Sequence, residues 1–407
     1  MRAGSKILVA VLAAALILSS CPGTARGESH EEGEKLTVYF PNWNIHADPR
    51  CQVKDLPWDR IDCVDHAFWK VVPKDGGYAL ESTDPEADIG SGDPKSHFTQ
   101  YEEVLKKYPG RKVLLSVGGW TACGYFSEMA LTKESRASFI MSCLEVLERY
   151  PFLKGLDIDW EYPNVPRAGG EGDEGNPVKG DDRANYTLFL KELREALDSR
   201  FGAGEKELTV CAGGTVSILS AQDYAALHPY VDRINLMTYD LAGPWDKVTG
   251  HQSDLYGRVS ADTAVKYLLK QGVPPGKIAI GSPLYSHGWK MEKAAEDPVG
   301  VPASGLPGGD KRYHELMPLE RAAVPAGTPG WHRGHDEKAG AAYLWNDDPA
   351  SPDYLTFYTY ESFFSLDMKL RYIRDNGLGG LIVWQAHGDA MDEDWPMITR
   401  MHEGLRR

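Results

Sequence analysis

Gly155-Leu156-Asp157-Ile158-Asp159-Trp160-Glu161-Tyr162-Pro163 is the stretch on which the fold of this 407-residue chain turns. Alternate side chains of a β-strand face opposite ways, so Asp157, Asp159 and Glu161 form one row while Ile158 and Trp160 point to the other side. At about 3.3 Å of rise per residue, successive acids stand roughly 6–7 Å apart. Pro163 stops the ladder just beyond the last of them. Three carboxylates in a row are costly inside a protein, since each loses water and repels the next. A solvated edge strand could carry them, but the approach Tyr150-Pro151-Phe152-Leu153 is apolar.

A use for the row follows from its order. Glu161 comes last, at the carboxyl end of the strand, where parallel α/β sheets and barrels place their chemistry. Partial burial and an anionic Asp159 would both raise its pKa and keep it protonated as a general acid. Asp157, one step deeper, would share a proton with Asp159. Such a stack suits protonation of a leaving-group oxygen and reads as a hydrolase.

Around this strand the chain alternates. Short apolar runs occur at Leu36–Phe40, Ile61–Val72, Lys112–Val117, Leu208–Ala212, Val231–Met237, Ile278–Ile280 and Leu381–Trp384. Helical periodicity falls between most of them, near 101–108, 134–149, 184–200, 260–271 and 361–376. In 184–200 the apolar positions are Leu188, Leu190, Leu193 and Leu197. Eight strands with intervening helices predict an α/β fold, a parallel (β/α)8 TIM barrel, rather than a doubly wound sheet. Residues 284–357 break the rhythm with many Gly, Pro and aromatic residues. The barrel is therefore expected over 36–283 and 358–407, with a small α+β insertion between the seventh and eighth strands.

The net charge of −15 argues against nucleic acid and anionic membrane surfaces as partners. The 11 Trp and 20 Tyr are numerous enough to supply stacking faces for sugar rings besides filling a core. Arg2, Lys6 and the apolar run Ile7–Leu18 read as an export signal over residues 1–20, followed by a polar tether over 21–35. Leu18-Ser19-Ser20-Cys21 resembles a lipoprotein cleavage box, so the expected location is extracellular or at the cell envelope, with membrane attachment only through a lipid on Cys21. Among the other cysteines, Cys51 and Cys63 flank one loop and are the expected disulfide, while Cys211 is expected to be a buried thiol. No Cys/His spacing suggests a metal site, and neither metal nor cofactor is implied. A monomer is expected.

With these residues laid out, the chain resembles the family 18 glycoside hydrolases, in particular their bacterial chitinases. Leu156–Pro163 is similar to the family's catalytic signature and Ser116-Val117-Gly118-Gly119 to its third-strand motif. Met237-Thr238-Tyr239-Asp240-Leu241-Ala242-Gly243-Pro244-Trp245 and Gly379-Gly380-Leu381-Ile382-Val383-Trp384 resemble the sixth- and eighth-strand motifs. The resemblance implies a retaining, substrate-assisted hydrolysis of chitin and chito-oligosaccharides. Glu161 would act as acid, and the sugar's own acetamido oxygen as nucleophile through an oxazolinium. It further implies that Asp159 holds the acetamido N–H, that Asp157 modulates it with support from Ser116, and that Tyr239 donates to the acetamido oxygen. Tyr39, Tyr162, Met237 and Asp240 would line the same subsite, Trp384 its floor, and Trp120 and Trp245 the leaving-group side. Trp43, Trp289 and Trp345 carry a weaker implication, with packing as the alternative.

Two positions depart from the family pattern. Lys154 stands where an Asp is usual, and by strand parity it points away from the acid row. Tyr285-Ser286-His287 replaces Tyr-Gly-Arg, which removes a usual contact on the non-reducing side. Two other readings stay open: a chitin-binding lectin on the same barrel, and an endo-N-acetylglucosaminidase on another glycan.

Overall fold

The structure is a computed structural model that describes residues 1, 35–47, 51–91, 95–306, 308–325 and 327–407. The export signal, Cys21 and the tether up to residue 34 lie outside the described residues. In chain order the strands are β1 (Lys35–Pro41), β2 (Cys63–Lys74), β3 (Gly77–Ser82), β4 (Lys112–Gly118), β5 (Leu153–Asp159), β6 (Glu207–Gly213), β7 (Arg233–Met237) and β8 (Ile278–Pro283). There follow β9 (His287–Met291), β10 (Ala303–Gly305), β11 (Trp331–Asp336), β12 (Ala341–Asn346), β13 (Thr356–Tyr360) and β14 (Gly380–Trp384).

Eight strands run parallel in the order β1-β14-β8-β7-β6-β5-β4-β2, and β1 also pairs with β2, so the sheet closes on itself. Helices at His97–Lys107, Lys133–Arg149, Asp182–Phe201, Ala261–Lys270, Phe363–Asp375 and Pro396–Gly404 accompany it. This is the (β/α)8 barrel that the spacing of strands predicts. Period-two alternation sorts the side chains. Val38, Val64, Leu115, Ile158, Trp160, Val210, Leu236, Ile280 and Val383 face outward into one apolar layer shared with the helices. In the helix 182–201, Leu190, Leu193 and Leu197 are fully buried in that layer, whereas Leu188 faces out.

The inward-facing positions are largely polar, and they form one connected network. Arg233 Nε donates to Asn235 Oδ1 at 2.7 Å, and its guanidinium lies 3.6 Å from Asp65. Asn235 Nδ2 in turn reaches Asp65 (3.2 Å), Asp157 (3.1 Å) and the Tyr39 hydroxyl (3.0 Å). Arg233 is thus the cation set against Asp65, while burial and the nearby Asp157 raise the Asp65 pKa well above the usual carboxylate range.

The antiparallel hairpin partner β3 escapes the sequence reading. Its signal is the turn Asp75-Gly76, where both residues take positive φ (50° and 79°), as a two-residue hairpin turn requires. The expected Cys51–Cys63 bridge is not formed: both thiols are free and buried. Cys63 lies two residues before Asp65 on the same strand and donates to it at 3.6 Å, whereas Cys51 packs in the outer apolar layer. The barrel wall directs the two side chains differently.

Between β8 and β14 the five strands β10-β9-β13-β12-β11 make a separate antiparallel sheet, with a helix at Tyr313–Arg321. Its small core holds Trp289, Met291, Ala303 and Phe357. Its last strand continues to Tyr360.

Candidate active site

Parallel strands deliver their carboxyl ends to one mouth, and the register decides which side chains meet there. Ser116 of β4 and Thr209 of β6 stand level with Asp157 of β5. Asp157 accordingly accepts from Ser116 Oγ (2.8 Å), Thr209 Oγ1 (2.6 Å), the Tyr39 hydroxyl (2.9 Å), Asn235 Nδ2 (3.1 Å) and the Cys211 thiol (3.4 Å). Donors from four strands, β1, β4, β6 and β7, fill this carboxylate, and its position beside Asp159 is one cause of the raised Asp159 pKa. Cys211 is the buried free thiol expected there, and it also touches the Tyr39 hydroxyl at 3.0 Å.

Asp159 ends β5. Its Oδ1 is buried and finds no hydrogen-bond partner among the described residues. Burial, then Glu161, then Asp157 raise its pKa well above the usual carboxylate range. The carbonyl of Asp159 accepts from Gly119 N at 2.8 Å. Gly118, at φ 113°, lies so close that a Cβ there would meet that carbonyl at 2.1 Å. The Gly118-Gly119 pair is therefore what lets the β4 turn hug the acid-bearing strand.

Glu161 sits two residues past the strand end with its side chain buried and its backbone N–H on the Cys123 sulfur at 3.2 Å. Its pKa is raised to about 7, first by burial. Tyr162 and Arg167 pull it down, and Asp240 and Asp173 push it up. Asp240 across the mouth thus adds to the repulsion between Glu161 and its neighbour Asp159. Trp160, pointing outward, stacks on Phe126 and donates to Asn176 Oδ1 at 2.7 Å. Asn176 Nδ2 then holds the carbonyls of Tyr162 and Val165, both at 2.7 Å. Nothing in the sequence marked Asn176, whose role depends on a loop folding back.

From β7, Met237 and Tyr239 are buried in the inner cluster with Tyr39, Phe68 and Cys211, and the half-buried Tyr162 and Trp384 pack against it. Gly281 of β8 makes room for Tyr239: a Cβ there would stand 2.6 Å from its ring. Burial raises the Tyr239 pKa well above its usual value, so the hydroxyl remains a proton donor at neutral pH. Asp240 follows in the left-handed region (φ 56°) and turns its half-exposed carboxylate toward Tyr285 and His287. Trp384 stacks on Phe68 at 5.7 Å and lies 6.3 Å from the Trp43 ring, which makes a three-ring floor. A cavity of about 210 Å³ opens beside it, lined by Asn42, Trp43, Phe68, Thr83, Asp84 and Thr121 among others.

Two further rings stand proud of the mouth. Trp120 is 51% and Trp245 62% exposed, unusual for residues of that size. The Arg167 guanidinium covers one face of Trp120 at 4.0 Å, leaving the other open. Trp289 is fully buried, and Trp345 stacks on His332 within the second sheet, so both serve packing there. Lys154 is exposed, at the register shift by which β4 pairs Val113 with Leu153 and Leu114 with Gly155.

Among the described residues, His66, Asp88 and His97 bring nitrogen and oxygen atoms close enough to hold an ion. Asp88 is already served by the buried His66 (2.7 Å), Trp69 (2.8 Å) and Asn42 (3.2 Å) and by the partly buried Ser82 (2.5 Å). Proton donors supply what that buried anion needs.

A family model described as glycosyl hydrolases family 18 matches residues 35–389. The chain is 30% identical over 388 residues to chitinase A of Pseudoalteromonas piscicida, covering 84% of this chain and 45% of that protein. It is 26% identical over 437 residues to chitinase A1 of Niallia circulans, covering 95% of this chain and 60% of that one. The chain thus spans about half the length of these relatives. The fold superposes on a crystal structure of the Ostrinia furnacalis group IV chitinase in complex with allosamidin, with a TM-score of 0.79 and 25% identity. That likeness covers 92% of this chain and 99% of that one.

Proposed function

Because this chain belongs to the glycosyl hydrolases of family 18, we propose that it is a chitinase. It would cut β-1,4 bonds between N-acetylglucosamine units with retention, the substrate's acetamido group serving as nucleophile. The observation that carries the reading is the state of Glu161. It is a buried carboxyl with its pKa near 7, at the rim of an acid row and above an aromatic floor. A protonated carboxyl there can give its proton to a glycosidic oxygen. Asp159, with an unpartnered buried oxygen, is suited to accept the acetamido N–H and to offset the charge of an oxazolinium. Tyr239 can donate to the acetamido oxygen and align it for attack. The Trp384 floor takes the sugar's apolar face, while Trp120 and Trp245 offer open faces to rings beyond the scissile bond. The export signal and the lipid on Cys21 remain part of the proposal on the sequence alone.

The test is release of sugar from chito-oligosaccharides by the parent protein beside Glu161→Gln. The expected loss is at least about a hundredfold in kcat. The first products should carry the β-anomeric configuration, and a fully deacetylated polymer should resist cleavage. Equal turnover by parent and variant would refute the role of Glu161; α-configured first products would refute self-attack by the acetamido group.

A further inference from the structure

His287 opens β9 and is buried, with each ring nitrogen facing a carboxylate. Nε2 lies 2.7 Å from Asp240 Oδ1, and Nδ1 lies 3.0 Å from Asp310 Oδ1. An ionised carboxylate only accepts, so two such partners require a proton on both nitrogens, and the ring is an imidazolium. The same Asp240 oxygen also takes the Tyr285 hydroxyl at 2.5 Å. Trp245 packs edge-on against the imidazole at 5.2 Å. The carboxylates belong to different parts of the molecule. Asp240 follows β7 on the barrel mouth, and Asp310 lies in the segment leading from β10 into the helix 313–321.

We propose that His287 is a cationic positioning residue, a charged clamp that fastens Asp240 to Asp310 and so fixes Asp240 in the cleft as a ligand for the sugar. The clamp rests on the chitinase reading for the identity of that ligand, and on geometry alone for its charge. Tyr285 and His287 both bind Oδ1, which orients the carboxylate and leaves Oδ2 for substrate. The clamp also bears on the field at Glu161, because Asp240 is one of the anions that, after burial, push Glu161 up. Among the described residues, the charged groups acting on the ring are Asp240 and Asp310, with the Tyr285 hydroxyl beside it. Burial alone would push the His287 pKa down; the two carboxylates outweigh it and raise the value to about 9. The charge is therefore present through neutral pH and is lost as pH rises through about 9. A cation there is a condition for Asp240 to stay in place.

Two measurements test this. The first is 15N NMR of the histidine rings in the whole protein, which needs no turnover. Both nitrogens of His287 should stay protonated through pH 8, and Asp310→Asn should lower the titration midpoint. A neutral ring at pH 7 overturns the clamp. The second is the Kd for a chito-oligosaccharide on the Glu161→Gln background, where ligand is not consumed. Affinity should fall by about tenfold between pH 8 and 10, and H287R, whose guanidinium does not titrate, should hold it flat. H287Q should show the weaker affinity already at pH 7. An H287Q that melts earlier yet binds as the parent does, with the same pH dependence, would show that His287 only packs and would overturn the proposal. Failure to release sugar would sink the chitinase reading while leaving the ring's charge decided by NMR. Failure to bind the oligosaccharide as well would sink the clamp's assignment to it.

Discussion

Glu161 shows how a single residue's environment becomes a rate law. Its raised pKa means the folded protein keeps the carboxyl protonated to higher pH than an exposed glutamate would. A step that needs the protonated form proceeds below that value and loses a factor of ten per pH unit above it. The kcat profile for chito-oligosaccharides should therefore show a falling limb centred near pH 7. A profile flat from pH 5 to 9 would show that Glu161 does not limit the rate as an acid. The parity of Asp157, Asp159 and Glu161 was legible in nine residues of sequence. The partners of Asp157 were not. Tyr39, Ser116, Thr209, Cys211 and Asn235 come from four other strands, and only the register of a closed sheet brings them together. Asp240 as a further anion acting on Glu161, and Asp310 behind His287, were hidden for the same reason: both depend on loops that cross the mouth.

At the scale of the element, β5 needs a residue without a side chain where it meets β6. A Cβ on Gly155 would stand 1.9 Å from the Glu207 carbonyl oxygen, which is backbone and has no alternative rotamer. Gly155→Ala should then cost about 1–3 kcal/mol, with the loss seen as a lower melting temperature and as weakened chemistry at the strand's far end. An unchanged melting temperature would mean that the strands can part without penalty. Strand positions were readable because alternation is strict in a wall that is apolar outside and polar inside. The hairpin strand β3 was missed because only two of its six residues are buried and its pattern is weak. Only the Asp75-Gly76 turn announces it.

For the whole molecule, the five described cysteines are free and buried, so no covalent cross-link among the described residues holds the barrel. Reductant should leave the melting temperature unchanged, and a thiol reagent should find these five only after denaturation. A fall in melting temperature on adding reductant would reveal a bridge. Sequence suggested the bridge from loop spacing, which cannot see which side of a barrel wall each thiol occupies. The same wall has a seam. β1, laid down first, is flanked by β2 and by β14, and Lys35 sits level with Gly380. The cylinder cannot shut until nearly all of the polypeptide has been synthesised, because the last barrel strand joins the first. Until then the chain waits unfinished. On our reading of its leader, such a delay keeps a newly made polypeptide threadable until it has crossed a membrane.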